Sequence, residues 1–415
     1  MTFSTLGLSP DLLKAVADSG YTAPTPIQVQ AIPVILNKQD VMAGAQTGTG
    51  KTAAFALPIL HRLAEQSGAE DSADCRAIRA LVLAPTRELA QQVYNSFTDY
   101  GRYVALRSAI AYGGVSLTPQ ISEIKAGVDI LVATPGRLLD LMFKGVVDLR
   151  QLQVLVFDEA DRMLDMGFID DIKRILKQVP KERQTLLFSA TFDSAIFDLS
   201  KTLLRSPQLI EVDQRNTTAR QVEQMVYAVD ADRKRELTSY LIGSKNWHQV
   251  LIFTRTKQGA DLLAQEMCKD GLKTESIHGD KSQGARERAL EEFRQGELRV
   301  LVATDVAARG LDIDQLKYVI NYELPFVAED YIHRIGRTGR AGASGLAISL
   351  LSPDENWLLE EIEVLLDCRL PQQWLPGYEP DLTKESAVSR KNSRTSQKRR
   401  AKERAYGKNT DKRKR

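Results

Sequence analysis

Read for hydrophobic and polar positions alone, the chain falls into two series of short apolar runs separated by longer amphipathic stretches. In the first series, runs rich in Val, Ile, Leu and Ala occupy residues 41–45, 80–84, 105–112, 130–133, 154–157 and 185–189. Between them, apolar residues recur at helical spacing, as over residues 88–100 and 170–178. The second series occupies residues 250–254, 274–278, 300–304, 319–322 and 346–350, with helical stretches over 257–270 and 282–295. Short continuous apolar runs alternating with helices predict βαβ units around a parallel sheet buried on both faces. Val154-Leu-Val-Phe-Asp158 also resembles Val300-Leu-Val-Ala-Thr-Asp305. The expectation is therefore two similar α/β domains joined around residues 207–221. Residues 65–74, with one Gly and four acids, predict an exposed loop. After Pro371 the pattern decays: Pro376, Pro380 and a Lys/Arg/Ser-rich run carry too few apolar residues to offset chain entropy, so disorder is expected there.

Composition agrees with this division. A chain of 415 residues exceeds what one hydrophobic core usually holds, and 43% apolar with 27% charged residues fits a folded body. Its apolar runs are far shorter than a bilayer span. Met1-Thr-Phe-Ser lacks the basic start of a signal peptide, and Asp11 and Lys14 interrupt the apolar positions that follow. A cytosolic protein without a membrane partner is expected. Cys75, Cys268 and Cys368 are scattered, with no CxxC pair, so neither a zinc site nor a disulfide framework is supported.

Charge changes the picture more than composition does. The net charge is +2, yet residues 383–415 hold fourteen Lys/Arg against three Asp/Glu, a local +11. The remaining residues hold 42 basic and 51 acidic side chains, a balance of −9. An acidic body with a basic tail points to a polyanionic partner.

The candidate chemistry lies just after the apolar runs, the carboxyl edge where open α/β sheets place ligands. Ala45-Gln-Thr-Gly-Thr-Gly-Lys-Thr52 reads as a phosphate-binding loop between a strand and an apolar helix over 53–60. Its glycines let backbone N–H groups approach phosphate oxygens at a helix N-terminus. Ala45 stands where the general formula has glycine. Lys51 suits the β- and γ-phosphates of ATP, and the Thr52 hydroxyl suits Mg²⁺. Asp158 and Glu159 end the run 154–157, where acids are costly unless a cation or polar ligand meets them. Asp158 suits Mg²⁺, while Glu159 suits orienting and deprotonating an attacking water. Asp161 reads either as part of that cluster or as a helix cap. Arg337 and Arg340, three apart, are spaced like two guanidinium groups converging on one phosphate from a single helical turn. Most of the chain separates them from Lys51, which suggests a nucleotide held between two domains.

Taken in order, these motifs resemble those of a DEAD-box ATP-dependent RNA helicase, over residues 3 to 340. Besides the phosphate loop and Asp158-Glu-Ala-Asp161, the resemblance rests on Pro85-Thr-Arg-Glu-Leu-Ala90, Gly113-Gly114, Thr134-Pro-Gly-Arg137 and Ser189-Ala-Thr191. Downstream it rests on Thr304-Asp-Val-Ala-Ala-Arg-Gly-Leu-Asp312 and His333-Arg-Ile-Gly-Arg-Thr-Gly-Arg340. The opening Phe3-Ser-Thr-Leu-Gly-Leu-Ser and the short basic tail resemble the bacterial RhlE-type group. The fold implied is two tandem RecA-like α/β domains of the P-loop NTPase type, followed by a disordered basic tail. The boundaries expected are a Q-motif region at 1–29, an ATP-binding domain at 30–208, a C-terminal helicase domain at 219–380 and the tail at 381–415.

The resemblance also implies roles. Gly20-Tyr-Thr-Ala-Pro-Thr-Pro-Ile-Gln28 matches the family's adenine-reading segment, with Thr25 and Gln28 on the base. One amide can both donate and accept, so Gln28 can discriminate adenine from guanine. Phe3 fits the family's stacking aromatic, with a hydrophobic staple as the competing reading. Ala45, Gln46, Thr47, Gly48, Thr49, Gly50, Lys51 and Thr52 would hold ATP, Asp312 the ribose, and Arg337 and Arg340 the γ-phosphate. His333 and Asp161 would couple with Ser189 and Thr191 between domains. Thr86, Arg87, Gly114, Thr134 and Arg137 would meet RNA in the first domain, and Gln283, Arg286 and Thr304 in the second. Arg334 reads as a solvated neighbour. Such small hydroxyl, amide and arginine groups suit phosphates and 2′-OH groups rather than base sequence. The reading favoured is an RNA-stimulated ATPase that separates short duplexes. An RNA chaperone or clamp is the second reading. A DNA translocase is disfavoured by the Gln28 segment and by Asp158-Glu-Ala-Asp161. Ribosomal precursors and RNA-decay machinery both remain open as partners.

Overall fold

The structure is a computed structural model that describes residues 2–44, 49–66, 76–190, 192, 194–211, 222–308, 316–339 and 345–381. The chain divides into two compact units, residues 1–214 and 215–415. The expected loop over 65–74 falls largely outside the described residues, with the helix Lys51–Gln66 running into its start.

The first unit is built on a seven-stranded parallel sheet: β1 (Val41–Gly44), β2 (Ala80–Leu83), β3 (Ser108–Ala111), β4 (Ile130–Ala133), β5 (Val154–Phe157), β6 (Gln184–Ser189) and β7 (Gln208–Glu211). Their order across the sheet is β3-β4-β2-β5-β6-β1-β7. Central strands such as β2 and β5 are buried at every position. Their alternate residues feed two cores, one on each face: Ala80, Val82, Val154 and Val156 pack into the first, Leu81, Leu83, Leu155 and Phe157 into the second. This two-sided burial is why the runs read as continuous rather than alternating. The N-terminal segments (Phe3–Leu6, Pro10–Asp18 and Pro26–Leu36) cover part of the first core through Phe3, Leu6, Leu12, Ile27, Ile32 and Ile35.

The second unit repeats the plan with β8 (Val222–Ala228), β9 (Val250–Thr254), β10 (Thr274–Ile277), β11 (Val300–Thr304), β12 (Tyr318–Asn321), β13 (Gly345–Leu351) and β14 (Gln372–Gln373). These are again parallel, ordered β10-β11-β9-β12-β13-β8-β14. The two α/β units expected from the pattern are therefore present.

Three strands differ from the expectation, and all lie in the outer part of a sheet. Strand β7 sits within the stretch read as a joint; only one of its four residues is buried, so it lacks an apolar run. Strand β8 interleaves buried and polar positions and borders the same stretch. Strand β14 follows Pro371, where the pattern decays, yet Gln372 and Gln373 pair in register with Val226 and Tyr227. Leu375 and Tyr378 then pack on the second unit's core, so order extends through Asp381. Main-chain pairing and two apolar contacts suffice there without an apolar run.

Candidate functional site

Strand order sorts the candidate residues. In the first unit, Gly50, Lys51, Asp158, Glu159 and Ser189 follow or end β1, β5 and β6, which are neighbours. Thr86, Arg87, Gly114, Thr134 and Arg137 follow β2, β3 and β4, also neighbours. The carboxyl edge is thus divided between a nucleotide half and a second polar half.

On the nucleotide half, Gly50 has φ of 89°, and a Cβ there would overlap the Gln28 side-chain amide. Only glycine suits both constraints. Gln28 Oε1 accepts from the Thr25 N–H at 2.9 Å, closing the start of helix Pro26–Leu36, and Gln28 Nε2 donates to the Gly50 carbonyl at 3.1 Å. The residue expected to read adenine is therefore also bonded to Gly50 of the candidate phosphate loop, a link that spacing alone does not reveal. Phe3 is 7% exposed and packed in the first core. Thr49 and Thr52 are half-buried near this loop. Ala45, Gln46, Thr47 and Gly48 lie outside the described residues.

Lys51 and Asp158 carry the electrostatics of the site. Lys51 Nζ and Asp158 Oδ1 are both buried with no hydrogen-bond partner among the described residues. Buried charged atoms whose hydrogen bonds are incomplete are costly unless a ligand completes them, and a phosphate with its divalent cation is of the right chemistry. Desolvation pushes the Asp158 carboxyl up to about 6; Lys51 pulls it down and Glu159 pushes it up. Because its folded pKa lies above the unfolded value near 3.8, ionised Asp158 opposes folding above that window, and the penalty fades as pH falls through 6. We predict that Asp158→Asn stabilises the metal-free protein at pH 7.5 by about 3 kcal/mol. The gain should shrink toward pH 4, as read by denaturant unfolding at both pH values, while ATP hydrolysis is lost. Equal stability of both proteins at pH 7.5 would refute this account.

Glu159 is 7% exposed and adopts φ 55°, ψ 57°, the left-handed region that non-glycine residues rarely occupy. Arg162, only 3% exposed, holds it at 3.5 Å. Sequence reasoning overlooked Arg162; a basic residue three after a strand-end acid on a short helix was the available signal. Asp161 Oδ2 accepts from the Ala190 N–H at 3.1 Å, and its Oδ1 accepts from the Arg162 N–H at 3.0 Å. The acidic cluster is thereby tied to the segment after Ser189, which is itself fully buried. Thr191 lies outside the described residues.

The other half of the edge is equally organised. Gly114 has φ of 82°, and a Cβ there would overlap the Arg87 guanidinium, which lies against its backbone. Thr86 caps the helix Arg87–Tyr100 by accepting from the Leu89 N–H. Arg137 donates to Gln120 Oε1 at 2.9 Å and to the Val115 carbonyl at 3.0 Å. Thr134 precedes helix Pro135–Phe143 and is 8% exposed. The structure thus brings all five first-unit residues to one stretch of sheet edge.

In the second unit, Thr304 ends β11 and is 6% exposed. Gln283 and Arg286 lie on helix Gln283–Arg294 after β10, the strand adjoining β11, with Gln283 reaching Glu287. Helix Ala328–Ile335 carries His333 and ends at Gly336, so Arg337 sits in the turn beyond it rather than on a helical turn. Its carbonyl accepts from the Leu316 N–H at 3.1 Å. The helix ends before Arg337, which corrects the single-turn expectation. Arg340 and Asp312 lie outside the described residues. The largest correction concerns Arg334, which is 1% exposed and forks onto the Asp305 carboxylate at 2.6 and 2.8 Å. A guanidinium can be buried this way because nearly all its donors find acceptors.

Among the described residues no helix is long and apolar enough to cross a membrane. No group of three or more His, Cys, Asp or Glu side chains there could hold a metal by itself. That is compatible with Mg²⁺, which is commonly held by one or two protein ligands and substrate phosphates.

Comparison with known proteins adds the family. Residues 25–199 match the DEAD/DEAH box helicase model, and residues 232–342 match the helicase conserved C-terminal domain. The chain is 43% identical over 379 residues to the ATP-dependent RNA helicase RhlB of Pseudomonas syringae pv. tomato, covering 91% of this chain and 95% of that one. It is 42% identical over 379 residues to the ATP-dependent RNA helicase DeaD of Buchnera aphidicola, covering 91% of this chain but 62% of that longer protein. Among solved structures it resembles Dbp5 of S. cerevisiae bound to RNA and ADP BeF3, with TM-score 0.80, 32% identity and 90% and 95% of the two chains covered. It also resembles the helicase Mss116 bound to ssRNA and UDP-BeF, with TM-score 0.81, 28% identity and 92% and 81% covered.

Proposed function

The chain belongs to the DEAD-box family of ATP-dependent RNA helicases, built on two tandem RecA-like domains, and on that basis we propose that it is an RNA-stimulated ATPase that locally separates short RNA duplexes or remodels RNA–protein complexes. The observation that carries this reading is the pair of buried atoms Lys51 Nζ and Asp158 Oδ1, without hydrogen bonds among the described residues, on the same sheet edge as the Arg87–Gly114 group. One half suits a nucleotide, the other a phosphodiester backbone. Lys51 would meet the β- and γ-phosphates; Thr52 and Asp158 would hold Mg²⁺, which supplies charge neutralisation at the phosphates. Glu159 would orient and accept a proton from the attacking water. Arg337 and Arg340 would stabilise charge developing on the transferred phosphoryl group, and Asp312 would touch the ribose. Asp161, Ser189, Thr191 and His333 would couple hydrolysis to closure of the two domains on RNA.

RNA contact is assigned to Thr86, Arg87, Gly114, Thr134, Arg137, Gln283, Arg286 and Thr304, with the basic tail adding salt-sensitive, sequence-independent attraction. We divide the chain into a Q-motif region (1–29), the two domains (30–208 and 219–380) and the tail (381–415). Its opening residues and short tail favour the RhlE-type group. The same reading places it in the cytoplasm, where RNA and ATP are available, with ribosomal precursors or RNA-decay assemblies as fitting partners. The deciding measurement is steady-state ATPase with single-stranded RNA and with DNA of matched sequence. RNA should raise kcat at least about tenfold over DNA if 2′-OH contacts matter. Equal stimulation by both would move the assignment to a nucleic-acid translocase of another kind.

A further inference from the structure

The second unit holds a buried ionic network that the proposed chemistry leaves unused, and its end nearest the sheet edge is Arg334. Resting on the functional reading above, we propose that Arg334 is a positioning residue that makes the RNA-facing and phosphate-facing segments of this unit move as one piece. Its Nε and Nη2 donate to Asp305 at 2.6 and 2.8 Å. Its Nη1 donates to the Glu323 carbonyl at 2.6 Å and to Asn321 Oδ1 at 3.3 Å. The guanidinium lies 5.1 Å from the centre of the Phe253 ring. The side chain therefore joins segments at the carboxyl ends of β9, β11 and β12.

The two ends of the clamp matter for different ligands. Asp305 immediately follows Thr304, assigned to RNA, and opens the helix Asp305–Ala308, which leads toward Asp312. Arg334 lies in the last turn of helix Ala328–Ile335, and its own carbonyl accepts from the Arg337 N–H at 3.2 Å. A shift of Thr304 on meeting RNA would thus be carried through Asp305 to the turn that presents Arg337. Behind the clamp, Glu323 Oε2 accepts from the Arg255 N–H at 2.8 Å, and Arg255 and Lys234 both bind the buried Glu355 carboxylate. The acceptors are thus held from the far side as well. Lysine cannot replace this fork, because a single ammonium cannot pair both Asp305 oxygens while reaching Glu323 and Asn321.

The test uses the full chain in three forms: wild type, Arg334→Lys, and the neutral pair Arg334→Met with Asp305→Asn. Each is assayed for ATPase against RNA and ATP concentration and for thermal unfolding. Arg334→Lys is expected to keep KM for ATP and to lose RNA-stimulated kcat by roughly 10²-fold, the scale on which small misplacements cost rate. The neutral pair, which strands no charge, is expected to regain the wild-type melting transition and to remain unstimulated. Wild-type stimulation in Arg334→Lys, or recovery of melting and stimulation together in the neutral pair, overturns the proposal. A wild type that RNA does not stimulate would instead overturn the functional reading.

Discussion

Replacing Glu159 with Gln is expected to lower ATP turnover by roughly 10²–10⁴-fold, the usual loss for a general base, while ATP and RNA still bind. The substitution preserves shape and hydrogen-bonding reach but removes the basic oxygen. Buried and held by Arg162 at 3.5 Å, Glu159 is confined by its surroundings as well as by its left-handed backbone. Strain of that kind persists only where the fold over-determines it, and such positions cluster at functional sites. Single-turnover hydrolysis, paired with nucleotide and RNA binding, separates the chemical step from affinity. Turnover near the wild-type rate would remove Glu159 from the chemistry and leave it a buried partner of Arg162.

The second large effect concerns stability. Glu355 is 1% exposed and accepts from Lys234, Arg255 and the Ser352 hydroxyl, the last at 2.8 Å. Desolvation lowers the Lys234 pKa, and Glu355 opposes that shift by favouring the charged ammonium. Glu355→Ala strands the buried Lys234 ammonium beside Arg255, which keeps only Glu323, and removing one partner of a buried pair typically costs about 3–5 kcal/mol. For a unit of this size, that corresponds to a loss of roughly 10 °C in its melting temperature. Calorimetry of the full chain should show one transition moving down while the other stays in place. An unmoved pair of transitions would show that the interior relaxes around the stranded Lys234 ammonium.

Much of the molecule was legible beforehand, for identifiable reasons. Central strands such as Val154–Phe157 are buried on both faces, so they must be uniformly apolar, and that pattern is local. Site residues follow the strands because parallel sheets expose their motifs at one edge. Outer strands escaped notice because one-sided burial needs few apolar positions: Gln208–Glu211 buries a single residue. That Phe3 enters the first core became visible only with the fold. Gln28 showed its value as a base reader but not its bond to Gly50, twenty-two residues away.

Arg334 marks the boundary most clearly. Neighbouring His333 and Arg337 make a basic stretch, and by periodicity such a stretch belongs to solvent. Its burial depends on Asp305, twenty-nine residues earlier, and on a carbonyl and an amide at the end of β12. The sequence by itself determined the two parallel-sheet units, the strand-end motifs and the family, because each is written in local periodicity and in short runs of adjacent residues. Only the tertiary structure decided which charges are buried, where Arg337 leaves its helix and that Gln28 braces the phosphate loop. A charge's environment is set by whatever the fold brings against it, and no local pattern carries that information.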